Sequence, residues 1–310
     1  MELTGRFAPT PSGYLHLGNA FCALVAYLSV KSRGGRFLLR VEDLDRLRLP
    51  DMPERTAALL CDLAWLGITF DSGLDPSEYQ SARGDVYAAA IEKLRSRGLV
   101  YPCWCSRAEL HAATAPHLSD GRYAYSGTCY KRFLRGDPPS DKPPALRVHV
   151  PDETVGFDDL VAGHYEENLT LGGDFIVRRS DGVFAYQLAV AVDDALTGVT
   201  EVVRGRDLLS STPAQIWLLR ELGLPVPQYA HIPLLTAPDG RRLSKRDGDD
   251  SLASYRERGY RPEDVLGLLA AAAGQTDRAE PVSMAELLAC FDITKIPKTD
   301  VAVGTLPPRI

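Results

Sequence analysis

The first 42 residues read as a strand, a helix and a second strand, and this order limits the folds open to the chain. Residues 3–8 and 36–42 are short apolar runs, whereas residues 18–32 have the length and composition of a helix. Two neighbouring parallel strands need a crossover connection, which is usually a helix. Strands that are apolar throughout are typical of a sheet covered on both faces. The sequence therefore predicts an α/β fold with a parallel sheet.

Later segments extend this pattern. The sequence predicts helices at 53–66, 84–97, 212–222, 262–273 and 283–290, and strands at 175–178, 184–192 and 232–235. Between them, residues 101–172 are rich in proline, glycine and charge, and this change of composition indicates an insertion. Cys22, Cys61 and Cys290 lie in apolar helical runs, where cysteine usually behaves as a small core residue.

Composition excludes several classes of protein. The chain has 310 residues, of which 45% are hydrophobic, so it can bury a substantial core. It contains no run of about 20 apolar residues that could span a membrane, and its N-terminus lacks a secretory signal. We therefore expect a cytoplasmic protein without membrane contact. The net charge of −6 gives no overall attraction for nucleic acid, although arginines cluster near residues 204–206 and 241–246.

Two short motifs indicate nucleotide chemistry. His16-Leu17-Gly18-Asn19 follows the first strand and opens the first helix, where backbone N–H groups, the helix dipole and an imidazole can meet phosphate. Much later, the segment Arg242-Leu243-Ser244-Lys245-Arg246 offers a lysine to the same phosphates. Each motif alone is weak, since a single histidine in a turn or a lysine in a basic loop usually has no special role.

Together with the segment from Gly5 to His16, which reads GRFAPTPSGYLH, these motifs resemble the glutamyl branch of the class I aminoacyl-tRNA synthetases. The resemblance covers residues 3–250. The chain departs from the usual spellings at Asn19, where many members have a second histidine, and at Arg242, Leu243 and Arg246, where others have Lys, Met and Ser. The second lysine of the later motif, Lys245, is kept.

The resemblance implies a Rossmann-like parallel sheet with a zinc-bearing insertion. It divides the chain into the first half of a nucleotide-binding catalytic domain at 1–100, an insertion at 101–172, the second half with the lysine loop at 173–250, and a short helical region at 251–310. It also implies catalytic roles for His16, Asn19 and Lys245. The ATP site would comprise His16, Gly18, Asn19, Ser244 and Lys245, with Mg²⁺ accompanying ATP.

Glutamate needs a fixed cation for its γ-carboxylate and an acceptor for its α-ammonium group. By resemblance the glutamate site comprises Arg6, Phe7, Ala8, Pro9, Thr10, Glu42, Tyr186 and Arg204. Arg6 and Arg204 would supply the cations and Glu42 the acceptor. Arg6, Glu42, Tyr186 and Arg204 all fall at the predicted carboxyl ends of strands, where open α/β sheets bind ligands. Alternatively, Glu42 pairs with a neighbouring arginine, and Tyr186 is a core aromatic residue.

Four residues of the predicted insertion resemble a zinc site of short glutamyl-type enzymes: Cys103, Cys105, Tyr125 and Cys129. Three thiolates favour a structural zinc ion. Tyrosine is an uncommon ligand, so His111 or His117 is an alternative fourth ligand. Three free thiols are the other alternative, and a disulfide is disfavoured in a reducing compartment.

Only 65 residues follow Lys245 (310 minus 245), too few for the helical domain that reads the anticodon in full-length members. We therefore expect no anticodon-binding domain. The chain resembles the short members of the branch, which transfer glutamate to queuosine in the anticodon loop of tRNA(Asp). The expected reactants are ATP, L-glutamate and this tRNA, and we expect a monomer. The alternatives are a minimal synthetase that charges tRNA(Glu) and a non-catalytic tRNA-binding paralogue.

Overall fold

Short parallel strands flanked by helices form the centre of the fold. A computed structural model describes residues 2–45, 51–106, 125–136, 141–241, 243 and 251–304. The strands are β1 (Thr4–Phe7), β2 (Arg36–Leu39), β3 (Val100–Cys103), β4 (Ala145–Val148), β5 (Thr154–Asp159), β6 (Gly163–Asn168), β7 (Phe175–Arg178), β8 (Glu201–Gly205), β9 (Gln228–Ile232), β10 (Leu235–Thr236) and β11 (Val301–Ala302). The helices are α1 (Leu17–Lys31), α2 (Met52–Trp65), α3 (Gly84–Ser96), α4 (Thr128–Arg135), α5 (Leu169–Gly172), α6 (Tyr186–Leu196), α7 (Thr212–Glu221), α8 (Leu252–Glu257), α9 (Pro262–Ala272) and α10 (Met284–Cys290).

Two parallel pairs of strands lie side by side. β1 pairs with β2 and β8 pairs with β9, both in parallel. The backbone N–H of Thr200, just before β8, donates to the carbonyl of Thr4 at the start of β1 at 2.8 Å. Both pairs therefore begin at the same edge and end at the same opposite edge. This confirms the predicted α/β class with parallel strands.

Neighbouring residues along these strands point to opposite faces, and each face has its own core. Phe37, Leu39 and Val203 pack into a core that includes α1 and α9. Leu38 and Val202 pack into a second core with α3, α6 and α7. Because both faces are covered, apolar residues at every strand position are buried, as the uninterrupted apolar runs predict.

The helices predicted near the start and end of the chain are confirmed within one or two residues. Two strand predictions are wrong. Residues 184–192 do not form a strand, because Tyr186–Leu196 is helical. The strand predicted at 232–235 is instead Gln228–Ile232, which ends where that prediction begins.

The segment between the two parallel pairs contains an antiparallel sheet and a hairpin. β4 pairs with β3 on one side and β7 on the other, and β5 pairs with β6 from Thr154–Asn168 to Asp159–Gly163. Since β7 lies beyond residue 172, the sheet joins the predicted insertion to the chain that follows it. The predicted domain boundaries themselves remain a prediction.

Two of the three cysteines assigned to the core are on the surface. Cys61 and Cys290 are exposed, and Cys22 is partly buried. Both exposed cysteines lie on the outer faces of amphipathic helices, where an apolar sequence neighbourhood does not imply burial. Among the described residues, each helix is too short or too polar to cross a membrane.

Candidate active site

A cavity of about 710 Å³ opens where β1, β2 and β8 end. This volume is in the range of small-molecule sites. All the residues of the predicted glutamate site line it, together with two of the predicted ATP site: Arg6, Phe7, Ala8, Pro9, Thr10, His16, Asn19, Glu42, Tyr186 and Arg204. The fold therefore brings these residues into one site, although they lie up to 198 positions apart (204 minus 6) in the chain.

His16 caps the start of α1. Its Nδ1 accepts hydrogen bonds from the backbone N–H groups of Gly18 at 3.1 Å and Asn19 at 3.4 Å. A neutral imidazole that accepts at Nδ1 carries its proton on Nε2. The side chain is therefore a cap through one nitrogen and a hydrogen-bond donor through the other.

This cap changes the interpretation of the helix start. The sequence predicted that the N–H groups there would be free for phosphate, but His16 already uses those of Gly18 and Asn19. Gly18 has a steric role as well, since a Cβ at this position would lie 3.1 Å from Cε1 of His16. The glycine thus makes room for the imidazole ring.

Arg204 is held rigidly in β8 and is 4% exposed. Its Nε donates to Nε2 of His231 at 3.0 Å, and its Nη2 donates to Thr212 at 2.7 Å and Gln215 at 2.8 Å. Its remaining nitrogen, Nη1, is buried and has no acceptor within the described parts of the chain. Buried donors are almost always paired, so this nitrogen is suited to an acceptor supplied by a ligand.

Arg6 is more fully occupied than Arg204. Its Nε and Nη2 donate to the carboxylate of Asp194 at 2.8 and 3.4 Å, and its Nη1 donates to the carbonyl of Val203 at 3.1 Å. Both Nη nitrogens retain one further N–H each. Arg6 can therefore assist in binding an anion, but most of its hydrogen bonds position Asp194.

Glu42 lies beside the cavity and pairs with Arg40. Nη2 of Arg40 donates to Oε1 of Glu42 at 3.0 Å, and Nη1 of Arg40 contacts Asp194. The pairing that was an alternative interpretation of Glu42 is thus present, while the residue still lines the cavity. The backbone N–H of Glu42 donates to the carbonyl of Pro9 at 3.0 Å, which fixes it against the β1 loop.

The pKa values of Glu42 and Asp194 shift in opposite directions. Burial raises the pKa of Glu42, and the charge of Arg40 opposes this rise. Burial would also raise the pKa of Asp194, but the charges of Arg40 and Arg6 outweigh it, so that this pKa is lowered. A cation bound beside Glu42 would favour its ionised form, as expected of an ammonium site.

Tyr186 occupies a different place from that predicted. It is the first residue of α6, not the end of a strand, and it is 39% exposed at the cavity wall. Glu42 lies three residues beyond β2, and Arg6 and Arg204 lie within β1 and β8. Tyr186 is therefore neither a core aromatic residue nor a strand-end residue.

A second cavity of about 390 Å³ adjoins the first. Gly18, His16 and Asn19 line it together with Cys22 and Asp207. Burial raises the pKa of Cys22 to about 11, so its thiol is protonated at neutral pH. The sequence analysis assigned Cys22 to the core and not to the site, although this residue lines both cavities.

One residue of the later motif and one residue beyond it reach this site. Leu243 lines both cavities, and the backbone of Ser251 forms a bridge with His16. Ser244 and Lys245 themselves, with Arg242 and Arg246, lie outside the described residues. The chain thus enters and leaves the lysine segment beside the cavities.

Three cysteines form a cluster at the end of β3 and the start of α4. The sulfur atoms of Cys103, Cys105 and Cys129 all lie within 4.8 Å of one another. The hydroxyl oxygen of Tyr125 is 3.6 Å from the sulfurs of both Cys103 and Cys105. In a tetrahedral zinc site with Zn–S bonds of about 2.3 Å, sulfurs are about 3.8 Å apart. The three thiols and the phenol therefore fit a zinc ion, while His111 and His117 lie outside the described residues.

Surrounding groups support this cluster. The backbone N–H of Trp104 donates to the sulfur of Cys129 at 3.4 Å, and Nε of Arg147 donates to the sulfur of Cys103 at 3.3 Å. The guanidinium of Arg147 also stacks over the Tyr125 ring at 3.9 Å. Donors of this kind stabilise thiolates and orient metal ligands. The sequence did not identify Arg147, because its sheet neighbours are distant in the chain.

Comparison with known proteins places the chain in a family. The family described as "tRNA synthetases class I (E and Q), catalytic domain" matches residues 2–303. The Glutamyl-Q tRNA(Asp) synthetase of Symbiobacterium thermophilum is 49% identical over 311 residues, which cover 97% of this chain and 96% of that protein. The chain belongs to the glutamyl-Q tRNA(Asp) synthetase family of class I ligases.

Members of the wider branch are also similar. The Glutamate--tRNA ligase of Geotalea uraniireducens is 40% identical over 297 residues, which cover 95% of this chain and 62% of that protein. The crystal structure of a glutamate tRNA ligase from Elizabethkingia meningosepticum, in complex with its amino acid, has a TM-score of 0.83 and 29% identity. It covers 98% of this chain and 67% of that one. The fold of the class I synthetase catalytic domain is thereby confirmed.

Proposed function

We propose that the protein uses ATP to activate L-glutamate as glutamyl-adenylate and transfers the glutamate to queuosine in the anticodon loop of tRNA(Asp). The observation that carries the proposal is that Arg204, whose buried Nη1 has no acceptor among the described residues, lines the same cavity as Glu42. A buried guanidinium and a carboxylate at one cavity complement an amino acid with a second acidic group. The acceptor, queuosine in tRNA(Asp), follows from the names of the similar synthetases.

The glutamate site combines fixed charges with backbone. Arg204 binds the γ-carboxylate with assistance from Arg6, and Glu42 receives the α-ammonium group. Tyr186 closes the pocket from the first turn of α6. Residues 7–10 form a further part of the cavity wall, and we assign their backbone to the glutamate pocket.

Activation requires positioning and charge stabilisation more than proton transfer, because the attacking carboxylate is already ionised at neutral pH. His16 donates from Nε2 to the phosphate at the reacting centre, and Gly18 and Asn19 set the position of its ring. Ser244 and Lys245 contact the departing phosphates. Mg²⁺ accompanies ATP.

Cys103, Cys105, Cys129 and Tyr125 hold a structural Zn²⁺ ion in this proposal. The distances among the three sulfurs and the phenol oxygen support it. A zinc ion there would cross-link β3 to α4 and thus fix the fold around the predicted insertion. A cytoplasmic location belongs to the same proposal, since ATP and tRNA are the reactants, and so does a monomeric state.

The acceptor is best tested by offering labelled glutamate and ATP with three RNAs in parallel. These are tRNA(Asp) that carries queuosine, the same tRNA with unmodified guanosine, and tRNA(Glu). We expect label on the first RNA alone. Label on tRNA(Glu) would identify a minimal glutamyl-tRNA synthetase, for which the Geotalea ligase is the precedent. Absence of label from all three, together with no glutamate-dependent ATP–pyrophosphate exchange, would favour a non-catalytic paralogue.

A further inference from the structure

A buried histidine lies directly behind Arg204. His231 in β9 is the register partner of Arg204 in β8, and it is 2% exposed. Its Nε2 lies 3.0 Å from Nε of Arg204 and also 3.0 Å from the hydroxyl of Thr212. Because a guanidinium always donates, Nε2 must be an acceptor in the contact with Arg204.

Asp159 fixes which ring nitrogen carries the proton. This residue ends β5, in the hairpin of the predicted insertion, and its Oδ2 lies 2.6 Å from Nδ1 of His231. Its carboxylate also accepts from the backbone N–H groups of His231 at 3.0 Å, Val161 at 2.9 Å and Ala162 at 2.8 Å. The carboxylate therefore holds Nδ1–H of His231 and leaves Nε2 unprotonated towards Arg204.

Asp159, His231 and Arg204 thus form a relay of hydrogen bonds. Of the three guanidinium nitrogens, Nη1 alone has no partner among the described residues. Nε is fixed by His231, and Nη2 is fixed by Thr212 and Gln215. Since the group is planar, these contacts determine the position of Nη1. A fixed guanidinium discriminates better between a carboxylate and an amide than a mobile one does. It cannot move to suit a group that lacks the charge or the hydrogen-bond geometry of a carboxylate.

We propose that Asp159 and His231 are positioning residues that orient Arg204 for the γ-carboxylate of glutamate, so that the hairpin beyond the parallel sheet sets amino-acid selectivity. The inference rests on the proposed function, in which Arg204 binds that carboxylate. Neither residue touches substrate. Their effect would thus appear in glutamate binding and in the preference for glutamate over glutamine.

Two substitutions of His231 separate positioning from simple loss of packing. In His231→Gln, the amide oxygen takes the position of Nε2 and still accepts from Arg204. In His231→Asn, the amide takes the position of Nδ1 and no acceptor remains for Nε of Arg204. A hydrogen bond to a charged group lost in this way should raise the KM for glutamate roughly tenfold to a hundredfold. We expect this in His231→Asn, with kcat and the KM for ATP within about twofold and near recovery in His231→Gln.

Asp159→Asn tests the other end of the relay. Its amide can donate to Nδ1 of His231, which would move the ring proton to Nε2 and oppose the N–H of Arg204. Asp158→Asn is the matched control, since Asp158 also contacts a histidine Nδ1, that of His164 at 2.8 Å, but on the exposed face of the same hairpin. Asp158→Asn should have the same KM values as the unmodified protein. Asp159→Asn should lower the ratio of glutamate to glutamine activation.

The readout is ATP–pyrophosphate exchange at varied glutamate, glutamine and ATP, with thermal unfolding of each variant. Equal KM values for glutamate in His231→Asn, His231→Gln and the unmodified protein would overturn the relay. So would a parallel rise in the KM values for glutamate and ATP, which indicates general disruption. Arg204→Gln tests the proposed function separately from the relay. An unchanged glutamate KM in that variant would show that Arg204 does not bind the γ-carboxylate at all.

Discussion

At the scale of single residues, charge alternates through the wall of the cavity from Glu42 to Arg40, Asp194 and Arg6. Every member is largely buried; Arg40 contacts both acids, whereas Arg6 contacts Asp194. Removing one member of a buried ion pair typically costs about 3–5 kcal/mol, because the remaining charge is left without compensation. The set is therefore sensitive to substitution at each position.

Glu42→Gln tests the ammonium site with little change in shape. The amide oxygen still accepts from Arg40, but the negative charge is lost. We expect the KM for glutamate to rise roughly tenfold to a hundredfold, as for other charge-assisted hydrogen bonds. ATP–pyrophosphate exchange measures this effect. Glu166→Gln in the exposed part of β6 is the control, and equal glutamate KM values in both variants would contradict the role of Glu42.

The sequence identified the residues that line the cavity but not those that hold them. Arg6, Glu42 and Arg204 stand in recognisable motifs, so resemblance was sufficient to find them. Asp194 and His231 act through contacts with residues 188 and 27 positions away. Such pairings arise only when strands and helices meet, and a single sequence contains no record of them.

At the scale of elements, the start of α1 serves both stability and chemistry through His16. We expect His16→Asn to keep the cap, because an asparagine oxygen accepts from the same backbone N–H groups. It should nevertheless lose most of the exchange activity, because the donor at Nε2 is gone. His16→Ala should lose the activity and also about 1 kcal/mol of stability.

Urea denaturation and ATP–pyrophosphate exchange on both His16 variants separate these effects. Full activity in His16→Asn would contradict a donor role. Equal stability of His16→Ala and the unmodified protein would contradict the capping role.

The cysteine cluster connects the end of β3 to the start of α4, and the proposed zinc ion there can be tested. Cys103→Ser should lower bound zinc and the melting temperature, since a structural zinc ion contributes directly to folding. Cys290→Ser should change neither, because that thiol is exposed and apart from the cluster. Metal analysis by mass spectrometry and calorimetric melting test this. A metal-free unmodified protein would remove the premise.

Residues 184–192 show why an apolar run does not decide between a strand and a helix. The sequence from Phe184 to Val192 has the residues of a buried strand, yet α6 runs from Tyr186 to Leu196. Residues 188–195 of this helix are all buried, so no polar face marks a helical period. The periodic helices α2 and α3 were predicted correctly because each has an exposed face.

At the scale of the whole molecule, buried titratable groups determine the acid stability. The pKa values of Asp159 and Asp194 are lowered from 3.8, and burial lowers that of His231 from 6.5. In each case the unfolded chain binds more protons, so the free energy of unfolding falls as the pH falls. Glu42 has the opposite sign, since its raised pKa favours proton uptake by the folded state.

We therefore expect a stability plateau above about pH 6.5, a shallow decline below it and a steep decline below about pH 4. Urea denaturation between pH 3 and pH 8 measures the curve. Asp159→Asn should make the free energy of unfolding depend less on pH in the acid range, whereas Asp158→Asn on the exposed face should leave this dependence unchanged. Equal stability of the unmodified protein at pH 7 and pH 3.5 would contradict this origin.

The contact between Asp159 and His231 has a consequence for protein engineering. Residues 154–168 form a hairpin that looks exchangeable, since within the described parts of the chain β5 pairs in a ladder with β6 alone. A chimera that takes this hairpin from a relative without an acid at position 159 would nevertheless remove the anchor of His231. On the proposed role of Asp159, such a graft would lower the recipient's preference for glutamate over glutamine, and a functional graft must keep both residues.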